Sequence, residues 1–358
     1  MNTHFATSRA VGGMCILAML CTGGLGAEPI KDLAGLETRL EQLREQVKIP
    51  AFSAAIAQGD AVVWSKGLGS SDVELHTPAT PETGYHLASL TKTFGSTILL
   101  QLVEQGKIDL DAPVSEYGVV LDQPDGTVRV RHLISHTSQG EPGMRYAYNG
   151  DRYALLDQVI RNASGRTFGE LVCERIIRPL ELKHTAPNVE DHTSFALAGL
   201  DRESFVSNLA RPYQLEKSGE FKLIQYPKIF SCSAGLISTA PDVARFSIAL
   251  DRGDLLSKQS LEKAMTRTVT PDGRSLPYGL GWFVIEVRGV KMAWHYGLWT
   301  GNSSLLIKVP DRKLTYVVLA NSDRLTISYM HGRGELMTSP FARAFVDNFV
   351  LGDARLRD

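Results

Sequence analysis

Ser89 and Lys92, three positions apart in the tetrad Ser89-Leu90-Thr91-Lys92, are the pair whose types and spacing best suit covalent chemistry. The run Ser89 to Gln105 reads as a helix. Side chains three residues apart on a helix share a face, so Lys92 stands about one turn from the Ser89 hydroxyl. A serine is a weak nucleophile until a neighbour takes its proton. A lysine enclosed by protein loses the water that favours its ammonium form, which makes it a candidate for that neighbour. The unpaired N–H groups of a helix start suit the negative charge that develops on an attacked carbonyl. The same four residues also fit an ordinary serine N-cap, so the choice falls to the rest of the chain.

For such a pair to work, other elements must close around it. Leu36, Leu40, Leu43 and Val47 recur at helical spacing and predict an amphipathic helix that stops before Pro50. Phe52 to Ala57 and Ala61 to Ser65, split by Gln58-Gly59-Asp60, predict a hairpin. In the helix from Ser89, the residues Phe94, Ile98, Leu102 and Val103 face inward, and Gly106 suits its C-cap. From Leu110 to Lys228 the pattern is short helices and loops, with helices at Arg131 to His136, Tyr153 to Ile160 and Thr167 to Ile177. Asp242 caps a helix towards Leu250. Gly279 to Val287, Val290 to His295, Ser303 to Val309 and Thr315 to Ala320 are β-rich, and Phe341, Phe345 and Phe349 mark a closing helix. Strands and helices at both ends of a helical middle predict one sheet built from both ends of the chain. The fold class is α/β, an antiparallel sheet flanked by helices with an all-helical inserted lobe. The α/β lobe takes approximately 30–88 and 230–350 and the helical lobe 89–229, within a domain over 28–350 and before a tail at 351–358.

The 358 residues are 43% hydrophobic and 22% charged with a formal net charge of −1, an ordinary globular composition. There is no basic run and no interleaving of basic and aromatic residues, so nucleic-acid binding is not expected. Arg9, the apolar run Val11 to Leu20 and the small residues ending at Ala27 read as a secretory signal peptide over 1–27, cut before Glu28. The implied location is exported, periplasmic or secreted. Cys21 offers a lipoprotein anchor as the alternative. No second apolar run approaches membrane-spanning length. Cys173 and Cys232 either pair, as export permits, or serve as small buried hydrophobes. His132 and His136 stand at i, i+4 but enclose Leu133-Ile134-Ser135, with no metalloprotease glutamate, so both read as structural. Neither a metal nor a cofactor is expected.

Several segments, in chain order, carry a resemblance. Tyr85-His86-Leu87-Ala88-Ser89-Leu90-Thr91-Lys92-Thr93-Phe94 is followed by Arg131-His132-Leu133-Ile134-Ser135-His136-Thr137-Ser138. Next come Ser233-Ala234-Gly235 with the run to Phe246, then Tyr278-Gly279-Leu280-Gly281-Trp282, and last His295-Tyr296-Gly297. Together they resemble the serine β-lactamase and penicillin-binding-protein superfamily, most closely the branch of class C β-lactamases, D-alanyl-D-alanine carboxypeptidases and related esterases. Members of this branch carry Tyr-x-Asn on a loop facing the nucleophile. Counting from Pro142-Gly143 and back from Tyr153 places the motif tyrosine at Tyr148, with Tyr146 as the alternative. Gly150 then stands where the asparagine belongs, and Asn149, displaced by one, reaches the place only across a bulge.

The resemblance implies a two-step acyl transfer. Ser89 attacks a carbonyl, Lys92 and Tyr148 share the proton as a coupled pair, and the oxyanion rests between the N–H groups of Ser89 and Leu298. Gly297 lets a substrate backbone approach the strand. His295 takes the place of a family Lys or His, within reach of Tyr148 or a substrate carboxylate, and Trp299 suits a substrate wall. Arg145 either reads a substrate carboxylate or faces solvent. The implied function is an exported serine hydrolase for amide or β-lactam substrates, small molecules or peptidoglycan peptides, of D-alanyl-D-alanine carboxypeptidase or β-lactamase type. An esterase on the same scaffold is the alternative, since esters need no amide-binding asparagine. A non-catalytic penicillin-binding-like module is the third reading.

Overall fold

The computed structural model describes residues 32–122 and 126–352. The expected leader over 1–27, with Cys15 and Cys21, and residues 353–358 of the expected tail lie outside the described residues. Helix α1 (Leu33–Gln46) starts at Asp32, whose carboxylate accepts the Gly35 N–H, and buries Leu36, Leu40 and Leu43 on one face. Strands β1 (Ala51–Gln58), β2 (Ala61–Asp72), β3 (Thr77–Pro78) and β4 (Tyr85–His86) lead to helix α2 (Thr91–Glu104). The middle of the chain forms α3 (Val130–Ile134), α4 (Gly150–Ala154), α5 (Leu156–Ser164), α6 (Phe168–Val172), α7 (His192–Ala198) and α8 (Arg202–Ser207). A hairpin follows, β5 (Tyr213–Leu215) with β6 (Phe221–Leu223). The inserted lobe is therefore not all helical. Tyr213-Gln214-Leu215 and Phe221-Lys222-Leu223 alternate with period two, and Gly219, at φ +92°, supplies the turn between them.

The chain returns through β7 (Ile237–Ser238), α9 (Ala240–Arg252) and α10 (Lys258–Ala264). It then forms β8 (Phe283–Val287), β9 (Val290–Trp299), β10 (Asn302–Val309), β11 (Leu314–Ala320) and α11 (Pro340–Phe345). The main sheet has seven strands in the order β3-β2-β1-β11-β10-β9-β8. Every neighbouring pair is antiparallel. The first and last thirds of the chain meet at β1 and β11, with Phe52 opposite Ala320 and Gln58 opposite Leu314.

Both faces of this sheet are covered, which is why its central strands read as nearly unbroken apolar runs. On one face Ile56, Trp294, Tyr316 and Val318 pack with Leu40 of α1 and Phe345 of α11. On the other Ala55, Leu306, Val317 and Leu319 pack with Ile98 of α2 and Phe246 of α9. Phe94 stacks on Phe246 at 3.8 Å between ring centroids, which clamps α2 to α9 and so fixes the helix that begins beside Ser89. Cys173 and Cys232 are buried free thiols rather than a pair. Among the described residues no helix is long and apolar enough to cross a membrane.

Candidate active site

Ser89 does not open the α-helix itself. It lies in a 3-10 turn, Ala88–Leu90, that feeds into α2. Ala88 sits at φ +49°, a left-handed conformation that costs an alanine free energy and persists only when its surroundings impose it. Those surroundings are explicit. The Ala88 N–H donates to His86 Nδ1 at 3.2 Å, and Thr91 Oγ1 donates to the Ala88 carbonyl at 2.7 Å. The Leu87 N–H donates to the Leu236 carbonyl at 2.8 Å, and the Leu87 carbonyl accepts from Ser304 Oγ at 2.7 Å. The turn is thus tied to the sheet and to the segment around β7, and Ser89 is left half-buried at its apex.

Lys92 is fully buried. Its Nζ donates to Ser89 Oγ at 3.0 Å and to the Ser233 carbonyl at 2.9 Å. The Tyr148 and Tyr153 rings flank it, with centroids 5.1 and 5.3 Å from Nζ. Burial pushes its ammonium down to about 7, against the opposing pull of Cys232 and Asp151. The Cys232 thiol is itself pushed far up by burial and stays neutral, so Asp151, exposed in the first turn of α4, is the charge that acts on Lys92.

Tyr148 faces the same point, its ring tilted over His136 at 4.3 Å and parallel to Phe283 at 6.1 Å. Burial raises its phenol well above the usual range, Tyr296 adds to this, and Ser89 alone opposes it. The two hydroxyls nonetheless fall short of hydrogen-bond geometry, and the Tyr148 hydroxyl is buried without a partner among the described residues. Desolvation favours the neutral form of both groups. The proton therefore stays on Tyr148, and Lys92 is the member that releases one near neutrality. Tyr146 is committed elsewhere, its hydroxyl donating to the Gly332 carbonyl at 3.0 Å.

Asn149 does not fill the motif position. Its Oδ1 caps α4 by accepting the Arg152 N–H at 2.9 Å, and its own N–H donates to His136 Nδ1 at 3.2 Å. Gly150 is the residue that looks at the site. A Cβ built there would lie 3.5 Å from Ser233 Oγ and 4.0 Å from Lys92 Nζ. No side-chain amide reaches Lys92 from this loop; the Ser233 carbonyl holds it, and Ser233 Oγ donates to the Gly150 carbonyl at 2.9 Å.

His295 is buried near Lys92, but both of its nitrogens are taken. Nδ1–H donates to the Tyr296 carbonyl at 2.7 Å, so Nε2 is the acceptor of the Tyr278 hydroxyl at 2.8 Å. Burial and Lys92 push it down to about 3, so it is a neutral prop with no free nitrogen for Tyr148 or a carboxylate. Gly297 serves a different close approach from the one expected. A Cβ there would sit 2.0 Å from the Leu87 carbonyl oxygen and 2.3 Å from Ser304 Oγ, so the glycine admits the nucleophile turn rather than the substrate alone. Strand β8 pairs β9 only as far as Trp294, so among the described residues no strand pairs His295 to Trp299 on that side. His295, Tyr296 and Gly297 are nonetheless buried, the Gly297 carbonyl accepts from Thr326 Oγ1 at 3.1 Å, and only Leu298 and Trp299 form an open edge beside the nucleophile turn. Arg145 is exposed, with its Nε donating to the Gln139 carbonyl at 3.3 Å. His132 caps α3 by accepting the Arg129 N–H at 3.1 Å. Trp299 stands 38% exposed at the end of the open edge.

A sequence model of the family Beta-lactamase matches residues 36–328. The chain belongs to the Beta-lactamase family. It is 23% identical over 326 residues to Protein flp of Staphylococcus aureus (strain MW2), covering 80% of this chain and 62% of that protein, so it spans under two thirds of that relative. Among solved structures it is similar to the octameric penicillin-binding protein homologue from Pyrococcus abyssi, with a TM-score of 0.73 and 24% identity over 86% of this chain and 76% of that one. It is also similar to EstCE1, a hydrolase with promiscuous acyltransferase activity, with a TM-score of 0.68 and 20% identity over 87% of this chain and 98% of that one. The antiparallel sheet flanked by helices is the fold of these structures.

Three residues support this candidate site in ways that their types do not announce. Ser233 acts through a backbone carbonyl, which no side-chain type announces; the only cue was Ser233-Ala234-Gly235 as a tight turn, where Gly235 adopts φ +114°. His136 has the structural role its sequence context suggests, and the structure adds where: its ring lies tilted against Tyr148 and its Nδ1 accepts the Asn149 N–H. Tyr278 precedes β8 and reaches across to fix His295.

Proposed function

We propose that this protein is a serine acyl hydrolase that forms an acyl-enzyme on Ser89. The observation that carries the reading is the enclosed Lys92 amine, held between Ser89 Oγ at 3.0 Å and the Ser233 carbonyl at 2.9 Å. Neutral Lys92 takes the Ser89 proton as the hydroxyl attacks. The Lys92 ammonium so formed gives that proton to the leaving group through the Tyr148 hydroxyl, which has no other partner among the described residues. The same pair later takes a proton from the attacking water and returns it to Ser89. The oxyanion lies between the N–H groups of Ser89 and Leu298, each such donor contributing ~3 kcal/mol to the transition state.

The substrate reading that the side chains favour is an ester. Position 150 offers no amide, His295 has both nitrogens committed, and Arg145 is turned to the Gln139 carbonyl. These are the places from which a substrate amide or carboxylate would be gripped. A D-alanyl-D-alanine carboxypeptidase or β-lactamase is the second reading. It is favoured by the strand edge at Leu298 and Trp299, which β8 does not pair and which suits the end of an extended peptide. We also infer that the protein is exported by its first 27 residues. N-terminal sequencing of a periplasmic extract should begin at Glu28; a cytosolic protein retaining Met1 would count against export.

The test of function uses three probes on wild type and Ser89→Ala: a fluorescent penicillin, a chromogenic cephalosporin and a short-chain nitrophenyl ester. Ester turnover without stable penicillin labelling is the expected outcome. Stable labelling points to a peptidase and rapid cephalosporin turnover to a lactamase. If wild type and Ser89→Ala behave alike with all three, the nucleophile is not Ser89.

A further inference from the structure

His86 is fully buried, three residues before Ser89, and its two ring nitrogens are in different situations. The Ala88 N–H donates to Nδ1 at 3.2 Å. A ring nitrogen that accepts carries no proton, so the imidazole hydrogen is on Nε2. That Nε2–H is buried and meets no acceptor among the described residues. The Tyr226 ring stands edge-on to His86 at 6.0 Å, and its hydroxyl is also buried without a partner. The Trp299 ring is tilted to His86, with its centroid 6.3 Å away. Trp299 is the exposed member of the three, at the end of β9 just past Gly297 and Leu298. Buried donors are normally paired, and two unmet polar groups in contacting rings call for an explanation.

We propose that His86, Tyr226 and Trp299 form a substrate subsite next to Ser89 that receives a neutral oxygen acceptor, an ether or carbonyl oxygen of the substrate. The imidazole N–H and the phenol both donate, and the indole face covers the adjoining hydrocarbon. No cation belongs to the cluster, so a carboxylate would be buried there unpaired, which argues for a neutral oxygen. The same imidazole holds the Ala88 N–H in its left-handed turn, so the subsite adjoins the backbone that presents Ser89. The proposal rests on the acyl-transfer reading for its substrate, and its test is separable from that reading.

Two substitutions isolate the donors. Tyr226→Phe keeps the ring and removes the hydroxyl. His86→Asn keeps an acceptor near Nδ1 for the Ala88 N–H and removes the distal N–H. The probes are 4-nitrophenyl esters of straight-chain acids, each paired with the analogue in which one CH2 is an ether oxygen. Wild type should prefer at least one ether analogue, and the ether-to-hydrocarbon ratio of kcat/KM should fall about tenfold in each variant, the loss expected for one hydrogen bond. Calorimetric binding of the same pairs to the Ser89→Ala protein, with and without Tyr226→Phe, reads the subsite without turnover. If no ester acylates Ser89, the acyl-transfer reading fails and the binding ratio alone decides the subsite. Ratios unchanged by both substitutions, or equal losses on both members of each pair, overturn it.

Discussion

At Lys92 the protonation state is set by the absence of water rather than by a partner charge. Burial pushes the amine down to about 7, so below that pH it is an ammonium and cannot accept the Ser89 proton. Acylation should therefore rise with pH through about 7 and then level off, as read from kcat/KM for a nitrophenyl ester between pH 5 and 9. A flat or falling profile across that window removes Lys92 as the base. Tyr148 is tested by its hydroxyl alone. Tyr148→Phe keeps the ring contact with His136 and should lower kcat by ~10²- to 10⁴-fold, the range for a lost proton-transfer group, while Tm stays within a few degrees. Position 150 tests substrate choice. A Cβ there meets only ordinary contact, 3.5 Å from Ser233 Oγ and 4.0 Å from Lys92 Nζ, so Gly150→Asn starts an amide side chain beside the amine. The ratio of penicillin acylation to ester hydrolysis should rise in that variant; a ratio unchanged in a folded variant would mean that the missing amide does not govern substrate class.

The elements around these residues carry their own consequences. Gly297 is where β9 meets the nucleophile turn, and a methyl there would collide with the Leu87 carbonyl at 2.0 Å. Gly297→Ala should displace the turn and cost ~1–3 kcal/mol in denaturant unfolding, with activity falling further than stability. Native stability together with native activity would show that the approach is looser than drawn. On the far end of the same sheet face, Lys308 of β10 is ion-paired with Asp251 of α9 and donates to the Ser247 carbonyl at 3.1 Å. Both side chains are buried, so Asp251→Ala should cost ~3–5 kcal/mol by stranding the ammonium. The double variant Lys308→Met, Asp251→Leu should recover most of that loss in urea unfolding.

Periodicity made much of this scaffold legible: the Leu36, Leu40, Leu43 stripe, the runs that became β10 and β11, and the two-ended sheet all follow from spacing. What escaped was set by tertiary contact or by local capping. The left-handed Ala88 is imposed by four hydrogen bonds from distant or adjoining groups. Asn149, just before Gly150-Asp151-Arg152, carried an N-cap signature that the family motif obscured. The hairpin at 213–223 has strands of three residues each, too short for their period-two alternation to stand out from the sequence around them.

Over the whole molecule, the site lies where the sheet edge, the nucleophile turn and the inserted lobe converge, and its construction works against stability. It contains a buried amine, an unpartnered phenol and a left-handed alanine. The amine gives this a measurable form. An unfolded lysine titrates near 10.4, whereas Lys92 in the folded protein titrates at about 7. Between those values the unfolded chain binds a proton that the native protein does not, so the contribution of Lys92 to stability rises with pH across that window. Below pH 7 both states are charged and the full cost of burying the ammonium is present. Lys92→Met removes the cost and keeps a side chain of similar length. The variant should be inactive yet more stable than wild type, with the gap in Tm largest at pH 6 and narrowing towards pH 10, where the wild-type amine is neutral in both states. Comparing the two proteins at each pH cancels the other titrating groups. A gap of constant size would mean that Lys92 keeps its ordinary proton in the folded state, and the base would then have to be sought among the site's other groups.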